Sequence, residues 1–270
     1  MATLRKKIFF SAIITFGLFW LFVLYAQLTL PNAAALKIRN PKTTAFMERY
    51  KGEKPLQYAW VPYSQIAPAL KEAVVVAEDG SFFLHSGFDW RALRDAFRKN
   101  MKKKKIVRGG STITQQLAKN LYLSPSRNPL RKIRETLITM QLEQNLSKQR
   151  ILEIYLNVIE WGEGVYGAEA AALHYFNTSA SRLSGDQSAW LAAILPNPKF
   201  YEKRRNSRYI RAKASRIAAI MGYKKDRGHK KLEEEPKPVL EEPVLEEPVE
   251  AVPTDIYDVE EIAPEDSEEF

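Results

Sequence analysis

The chain has 270 residues, 45% of them hydrophobic, and it carries 41 Lys and Arg against 32 Asp and Glu, for a formal net charge of +9. This composition excludes a wholly disordered chain, a collagen and a protein with many membrane spans. Because the chain has no cysteine, a disulfide framework, a Cys-ligated metal site and a cysteine nucleophile are excluded as well.

The first 36 residues predict a membrane anchor. Residues 8–36 contain no charged side chain, and residues 8–30 are mostly Ile, Phe, Leu, Val and Trp. As a helix, residues 8–30 would be about 34 Å long, enough to cross a hydrocarbon core of about 30 Å. Basic residues at 5–7 keep residues 1–7 in the cytoplasm and place the rest of the chain outside. The alternative is a signal peptide cleaved near the small residues 33–35, but the apolar run is long for one.

Residues 31–60 are predicted to be a connector, and residues 61–225 a mostly helical domain. Alternating strand patterns are nearly absent, so the fold class is mostly α. Apolar periodicity and capping residues predict helices over Gln65–Glu78, Trp90–Met101, Ser111–Tyr122 with Ser111 as cap, Leu130–Asn145, a helix capped by Ser147, one begun by a Ser184/Gln187 capping box, and a stripe over Ile210–Met221.

Charge is divided unevenly along the chain. Residues 1–231 contain 40 basic and 16 acidic side chains, whereas residues 232–270 contain one basic and 16 acidic side chains. Residues 226–270 are also proline-rich and repeat the sequence PVLEE, so they cannot bury a core and are predicted to be disordered. The alternative is that this tail folds back on the basic body or repels an anionic membrane.

The segment EDGSFFLHSGFD, at 78–89, is the first candidate for chemistry. Glu78 and Asp79 end an apolar helix beside Phe82, a setting that suits a general base. The alternative is a solvated helix end with Asp79 as a turn residue. His85 has no HExxH-type partner, so it is read as a hydrogen-bonding residue and not as a metal ligand.

The segment RGGSTITQQLAKN, at 108–120, is the second candidate. Gly109 and Gly110 allow close backbone approach, and Ser111 opens a helix whose first N–H groups could bind phosphate together with Lys119. The alternative is a glycine turn before a capped helix. The order of residues is not that of a Walker loop.

A third candidate is Arg131-Lys132-x-x-Glu135, with Arg127 upstream, where cations flank a carboxylate. The alternative is a surface network of ion pairs along a helix. Nine further Lys or Arg residues lie between 91 and 108. After an export anchor, they fit an anionic lipid surface or a phosphate-bearing substrate better than nucleic acid.

Taken in order, these segments resemble the peptidoglycan glycosyltransferase family, which includes monofunctional biosynthetic transglycosylases and the N-terminal modules of class A penicillin-binding proteins. The resemblance covers about residues 61–198. It rests on five ordered motifs: EDxxFxxHxGxD, GGSTxTQQxxKN, RKxxE, ILExYLN and a helix bounded by proline. Because no Ser-x-x-K occurs, the chain is most similar to the monofunctional form.

The resemblance implies a lysozyme-like helical lobe with a smaller membrane-proximal jaw, preceded by one transmembrane helix. It implies polymerisation of lipid II into glycan strands, with inversion from α to β and release of polyprenyl diphosphate. It also implies a single-pass protein of the cytoplasmic (inner) membrane, with its catalytic domain on the periplasmic side. Expected partners are lipid II, the nascent strand, membrane lipid, and proteins of cell-wall synthesis or division.

The same resemblance assigns roles to single residues. Glu78 matches the general base and Glu135 the second glutamate, which orients basic groups or assists the leaving diphosphate. The other matching positions are the substrate contacts Ser111, Gln115, Gln116, Lys119, Arg127 and Arg131, and the motif residues Asp79, Phe82, His85, Gly109 and Gly110. The sequence requires no cofactor and contains no metal-ligand cluster, although a divalent cation at the diphosphate is compatible with it.

Two other classes of function are kept as alternatives. A lytic enzyme with a similar lobe would cleave glycan strands, but it would need neither an anchor nor a diphosphate site. A non-catalytic, membrane-tethered scaffold would keep its cellular effect after Glu78→Gln.

Overall fold

The computed structural model describes residues 9–18, 20–21, 29–103, 110–126 and 128–222. Within these ranges the chain is mostly helical, which confirms the predicted fold class. The helices beyond residue 40 are α1 (Ala45–Glu48), α2 (Pro68–Glu78), α3 (Trp90–Lys103), α4 (Ile113–Tyr122), α5 (Pro129–Asn145), α6 (Lys148–Val158), α7 (Ala168–Phe176), α8 (Gly185–Ile194), α9 (Pro198–Glu202) and α10 (Arg208–Ile220).

Several helices begin where the sequence provides a cap. The Ser147 hydroxyl accepts a hydrogen bond from the Arg150 amide at the start of α6. Ser184 and Gln187 form the predicted capping box at α8. These bonds satisfy N–H groups that have no partner within the helix, so the local sequence is enough to locate both starts.

Two helix starts differ from the prediction. α2 begins at Pro68 and not at Gln65. Proline is favoured at the first helical position, because the N–H that it lacks would have no acceptor within the helix there. The cap of α4 is Thr112 and not Ser111. Thr112 accepts from the Gln115 amide and Gln115 reaches back to the Thr112 amide, so the pair is a complete capping box.

A small sheet interrupts the helices and was not predicted. Its strands are β1 (Gln57–Tyr58), β2 (Glu160–Gly162) and β3 (Val165–Tyr166), in the order β1-β3-β2. β3 pairs in parallel with β1 and antiparallel with β2. Strands of two or three residues are too short to show an alternating pattern in the sequence.

The core forms around α8, which lies between α2 and α10. α8 is buried on most sides, from Ser188 through Leu191 to Ile194, as expected for a helix without a strongly polar face. A second group of helices, α4, α5 and α6, packs together. Full burial of a side chain such as Leu191 contributes about 1.5–3 kcal/mol.

The predicted connector contributes to the same core. Ala33 and Leu36 are buried in a 3-10 turn, and the Arg150 guanidinium donates to the Leu36 carbonyl at 2.8 Å. Met47 of α1 is also buried, and α1 packs on α4. Residues 33–48 are therefore part of the packed domain.

The predicted anchor, residues 8–30, lies partly outside the described residues, and the predicted tail, residues 226–270, lies wholly outside them. Residues 9–18 and 20–21 are helical, and their large apolar side chains are exposed, for example Phe16 at 65%. In the part of the chain that the structure describes, no helix is both long enough and apolar enough to cross a membrane.

Candidate active site

Glu78 is the last residue of α2, and a glutamine of α4 holds its carboxylate. Gln116 Nε2 donates to Glu78 Oε2 at 2.8 Å. Among the described residues, no hydrogen bond or ion pair engages the other carboxylate oxygen, Oε1. A partly buried carboxylate with one oxygen held and one free is well suited to accept a proton.

Asp79 follows directly and joins the loop after α2 to the start of α4. It is 7% exposed, its Oδ1 lies 2.9 Å from His85 Nε2, and its Oδ2 accepts from the Ile113 amide at 3.0 Å. Because the Gly87 amide donates to His85 Nδ1 at 3.1 Å, the ring proton is assigned to Nε2, which donates to Asp79. Asp79 and His85 therefore shape the loop and are not free to act on a substrate.

A half-buried ion pair supports this loop from the side of α5 and α6. Glu143 accepts from the Thr114 hydroxyl at 2.5 Å and from Lys148 Nζ at 2.7 Å. The side chains of Glu143 and Lys148 are only 9% and 21% exposed. The Lys148 ammonium lies 4.4 Å from the ring centroid of Phe82, which is fully buried. A Cβ at Gly87 would come within 3.0 Å of Glu143 Cγ, so loop and ion pair are in direct contact.

A cluster of cations surrounds the second glutamate. Glu135 is 3% exposed. Its two oxygens accept from Arg131 Nη1 at 2.5 Å and from Lys132 Nζ. Burial lowers the pKa of Lys119, and the nearby Arg131 charge lowers it further while Glu135 acts in the opposite direction. Glu135 is thus a buried partner of cations and not part of a loose surface network.

One face of α4 connects the two carboxylates. Gln116 and Lys119 are three positions apart, and side chains at this spacing lie next to each other on a helix. Gln116 contacts Glu78, whereas Lys119 experiences the charges of Arg131 and Glu135. The face therefore leads from a proton acceptor at one end to an excess of positive charge at the other.

The other residues predicted for the site are Ser111, Gly110, Gln115, Gly109 and Arg127. Ser111 is exposed at the start of α4, and Gly110 packs near α3, where a Cβ would meet Leu93 Cδ1 at 3.2 Å. Gln115 is 7% exposed and its side chain is used in the capping box. Gly109 and Arg127 lie outside the described residues.

Two of the first three N–H groups of α4 already have protein acceptors. The Ile113 amide donates to Asp79, and the Gln115 amide donates to Thr112. These two groups are not available to a phosphate, contrary to the expectation for this helix N-terminus. The positive charge near Glu135 comes instead from side chains.

Comparison with known proteins identifies the family of the chain. A family model described as Transglycosylase matches residues 43–222. The chain belongs to the transglycosylase family. Two proteins named biosynthetic peptidoglycan transglycosylase are similar to it: one from Laribacter hongkongensis, 49% identical over 210 residues, and one from Chromobacterium violaceum, 50% identical over 209 residues. Each alignment covers 75% of this chain and 92% of the relative.

A third relative with the same name, from Nitrosospira multiformis, is 48% identical over 224 residues, which cover 80% of this chain and 94% of that protein. The family predicted from the five ordered motifs is therefore confirmed.

The structure of this transglycosylase adds two residues to the site. Tyr155 of α6 is 1% exposed, and its hydroxyl donates to Gln116 Oε1 at 2.8 Å. Lys213 of α10 donates to the Ala193 carbonyl at 3.3 Å; burial lowers its pKa, and the charge of Glu78 acts to raise it. The sequence shows Tyr155 as the tyrosine of the motif ILExYLN, but nothing local indicates that its hydroxyl contacts Gln116. Lys213 lies within the segment Ile210–Met221, which carries the predicted apolar stripe. Its place there is the sequence signal that could have identified it.

Within the described residues, no three His, Cys, Asp or Glu side chains are grouped so that they could hold a metal ion. The charged groups beside Glu135 are cations, which bind an anionic group directly.

Proposed function

We propose that this transglycosylase polymerises lipid II into glycan strands of peptidoglycan and releases polyprenyl diphosphate. The relatives' names support the reaction class. The observation that carries the proposal is the face of α4, with a half-engaged carboxylate at Glu78 and three cations around Glu135. Glycosyl transfer from a diphosphate needs these two elements, a proton acceptor and positive charge for the leaving group.

In this proposal Glu78 is the general base. Its free oxygen accepts the proton of the 4-hydroxyl of the acceptor sugar, and the resulting oxygen attacks the anomeric carbon of the lipid-linked donor strand. A new bond forms on the face opposite to the diphosphate, so the α-linked donor gives a β-linked product. A positioned base of this kind contributes about 10²–10⁴-fold to the rate.

The diphosphate departs with the electron pair of the breaking C–O bond. Lys119 and Arg131 stabilise its charge, together with Ser111 and with Arg127, which the sequence places in the same segment. A diphosphate is already a good leaving group, so positive charge can replace a strong acid. Gln116 lines the cleft beside Glu78, and Gln115 supports it through the capping box.

Glu135 acts in this scheme by orienting cations. Both of its oxygens accept hydrogen bonds, one from Arg131 and one from Lys132. An ionised carboxylate that is engaged on both oxygens has no proton to give to the leaving group. Of the two roles considered for this residue, its contacts favour orientation of the basic groups.

The test is polymerisation of purified lipid II in detergent by the full chain. Wild type should form polymer that lysozyme digests, and Glu78→Gln should form at least about a hundredfold less. Glu72→Gln is the matched control, because Glu72 lies on the same helix but is exposed. Equal activity of wild type and Glu78→Gln would remove Glu78 from its role. Cleavage of finished glycan by the wild type, without polymer formation, would replace the transferase by a lytic enzyme.

We also propose a single-pass anchor at residues 8–30, with the domain, organised as a lysozyme-like lobe and a membrane-proximal jaw, on the periplasmic side of the inner membrane. Helix α3 supports contact of the domain with lipid, because it exposes apolar Trp90 and Phe97 beside basic Arg91 and Arg94. The test is the intact mass of the protein from washed membranes. A mass that lacks the first 30 or so residues would support the cleaved signal peptide instead.

A further inference from the structure

A buried tyrosine lies directly behind the glutamine that holds Glu78. The Tyr155 hydroxyl donates to Gln116 Oε1 at 2.8 Å, and Gln116 Nε2 donates to Glu78 Oε2 at 2.8 Å. The three side chains come from α6, α4 and α2 and form one continuous hydrogen-bonded chain. Tyr155 is 1% exposed and does not reach the open side of the cleft.

The orientation of the Gln116 amide is the critical feature of this series of hydrogen bonds. A glutamine amide has a donor end and an acceptor end of nearly the same shape, and its surroundings decide which end points where. In the observed orientation the NH₂ group faces the Glu78 carboxylate. After a flip of the amide, an oxygen acceptor would face the carboxylate and their hydrogen bond would be lost.

Tyr155 opposes that flip. In the part of the chain that the structure describes, Gln116 Oε1 is the acceptor to which the Tyr155 hydroxyl donates. A flip would leave this buried O–H without an acceptor, at a cost comparable to that of a lost buried hydrogen bond. Burial raises the pKa of Tyr155 well above its ordinary value, and the Glu78 and Asp79 charges add to this, so the hydroxyl remains a donor.

We infer that Tyr155 is a positioning residue for the base: it fixes the Gln116 amide so that Glu78 is held through Oε2 and presents Oε1 to the acceptor hydroxyl. This inference rests on the proposed role of Glu78. Tyr155 acts on the reaction only through Gln116, since it contacts neither substrate nor the reacting atoms.

Other charged groups near Glu78 do not replace this function. Asp79 is engaged by His85 and by the Ile113 amide. Lys213 approaches from α10, but its ammonium donates to the Ala193 carbonyl. None of these bonds involves the Tyr155 hydroxyl, so we expect them to persist in Tyr155→Phe and a change in its pH dependence to report on the Gln116 amide.

Removal of the hydroxyl should therefore change the pH dependence of catalysis. In Tyr155→Phe the amide can turn its oxygen toward Glu78, and a protonated Glu78 can then donate to it. The protonated form gains a partner and the ionised form loses one. The acid limb of the kcat profile should move to higher pH by about one unit, so kcat should fall by about tenfold on that limb and change little on the plateau near neutral pH. KM for lipid II should change less than about twofold, because Tyr155 does not touch substrate.

The experiment compares kcat–pH profiles of the full chain for wild type, Tyr155→Phe and Tyr175→Phe. Tyr175 is the matched control, because its hydroxyl donates to the Trp161 carbonyl at 2.7 Å and takes no part in the hydrogen bonds that lead to Glu78. Tyr175→Phe should keep the acid limb of the wild type. An unshifted acid limb in Tyr155→Phe, or an equal shift in both variants, would overturn the inference.

A double-mutant cycle with Gln116→Met tests the route of the effect. If Tyr155 acts through Gln116, then Tyr155→Phe should cause no further shift once Gln116 is replaced. Additive shifts would show that Tyr155 acts on Glu78 by another route and would contradict the inference. Failure of the wild type to polymerise lipid II would instead contradict the proposed function, so the two failures are distinguishable.

Discussion

Replacement of Lys148 by methionine should be one of the most costly changes of a charged residue outside the cleft. Methionine is of similar length but would leave the Glu143 carboxylate, 9% exposed, with the Thr114 hydroxyl as its one remaining partner among the described residues. Loss of one member of a fully buried ion pair costs about 3–5 kcal/mol. Because Lys148 is 21% exposed, water can reach the site, and we expect a loss of about 2–3 kcal/mol.

Thermal unfolding of the full chain, followed by tryptophan fluorescence, measures this loss. A loss of that size lowers Tm by about 5–10 °C for a domain of this length. Addition of Glu143→Gln to Lys148→Met removes the unpaired charge and should recover about 1–2 kcal/mol. Lys199→Met is the control, since Lys199 pairs with Glu160 but is 51% exposed, and should cost less than about 1 kcal/mol.

Two results would refute the reasoning. One is a loss of stability in Lys148→Met that is no greater than in the Lys199 control, which would mean that Glu143 is effectively solvated. Alternatively, the double variant could be less stable than Lys148→Met alone, which would mean that the charge of Glu143 stabilises the loop without its partner.

Three further predictions concern the loop, the backbone at Val61 and the acid stability of the fold. Gly87→Ala should destabilise the protein by about 1–3 kcal/mol in thermal unfolding, because Gly87 has φ +88° and a Cβ there would meet the Thr139 methyl group at 2.9 Å. Asn157→Leu should cost about 2–4 kcal/mol in urea unfolding, since the buried amide bonds both the N–H and the carbonyl of Val61 at 2.9 Å. For Glu202, burial acts to raise the pKa, but a backbone N–H and the Lys54 ammonium favour the ionised form and leave the pKa below its ordinary value. Its stabilising contribution is therefore present above the unfolded pKa of about 4.3 and is lost as the pH falls below it, so Tm of wild type should decline more steeply there than Tm of Glu202→Gln.

Each of these has a contrary outcome. Gly80→Ala is the control for the loop, because a Cβ at Gly80 would meet nothing within 4 Å; equal losses in both variants would argue against strain at Gly87. A neutral Asn157→Leu would mean that the Val61 backbone finds other partners. Parallel acid-induced declines of Tm in wild type and Glu202→Gln would exclude Glu202 as a source of acid sensitivity.

The motifs were readable from the sequence because their information is local. Helix caps such as Ser147 and Ser184 act within three residues of their partners, and an apolar stripe repeats within a few turns. Their order along the chain was sufficient to recognise the family and to single out Glu78 and Glu135. The uncharged stretch at residues 8–30 and the acidic repeats near the C-terminus are also read directly from composition, and both stay predictions.

What holds each site residue was decided by the tertiary structure, because its partners are far away in the chain. Glu78 and Gln116 are 38 positions apart, Gln116 and Tyr155 are 39 apart, and Thr114 and Glu143 are 29 apart. The spacing Thr112-x-x-Gln115 is a capping-box pattern within the sequence, but no local pattern shows that Gln116 holds the candidate base. Only the packing of α2, α4 and α6 places the Gln116 amide beside Glu78, with the Tyr155 hydroxyl behind it.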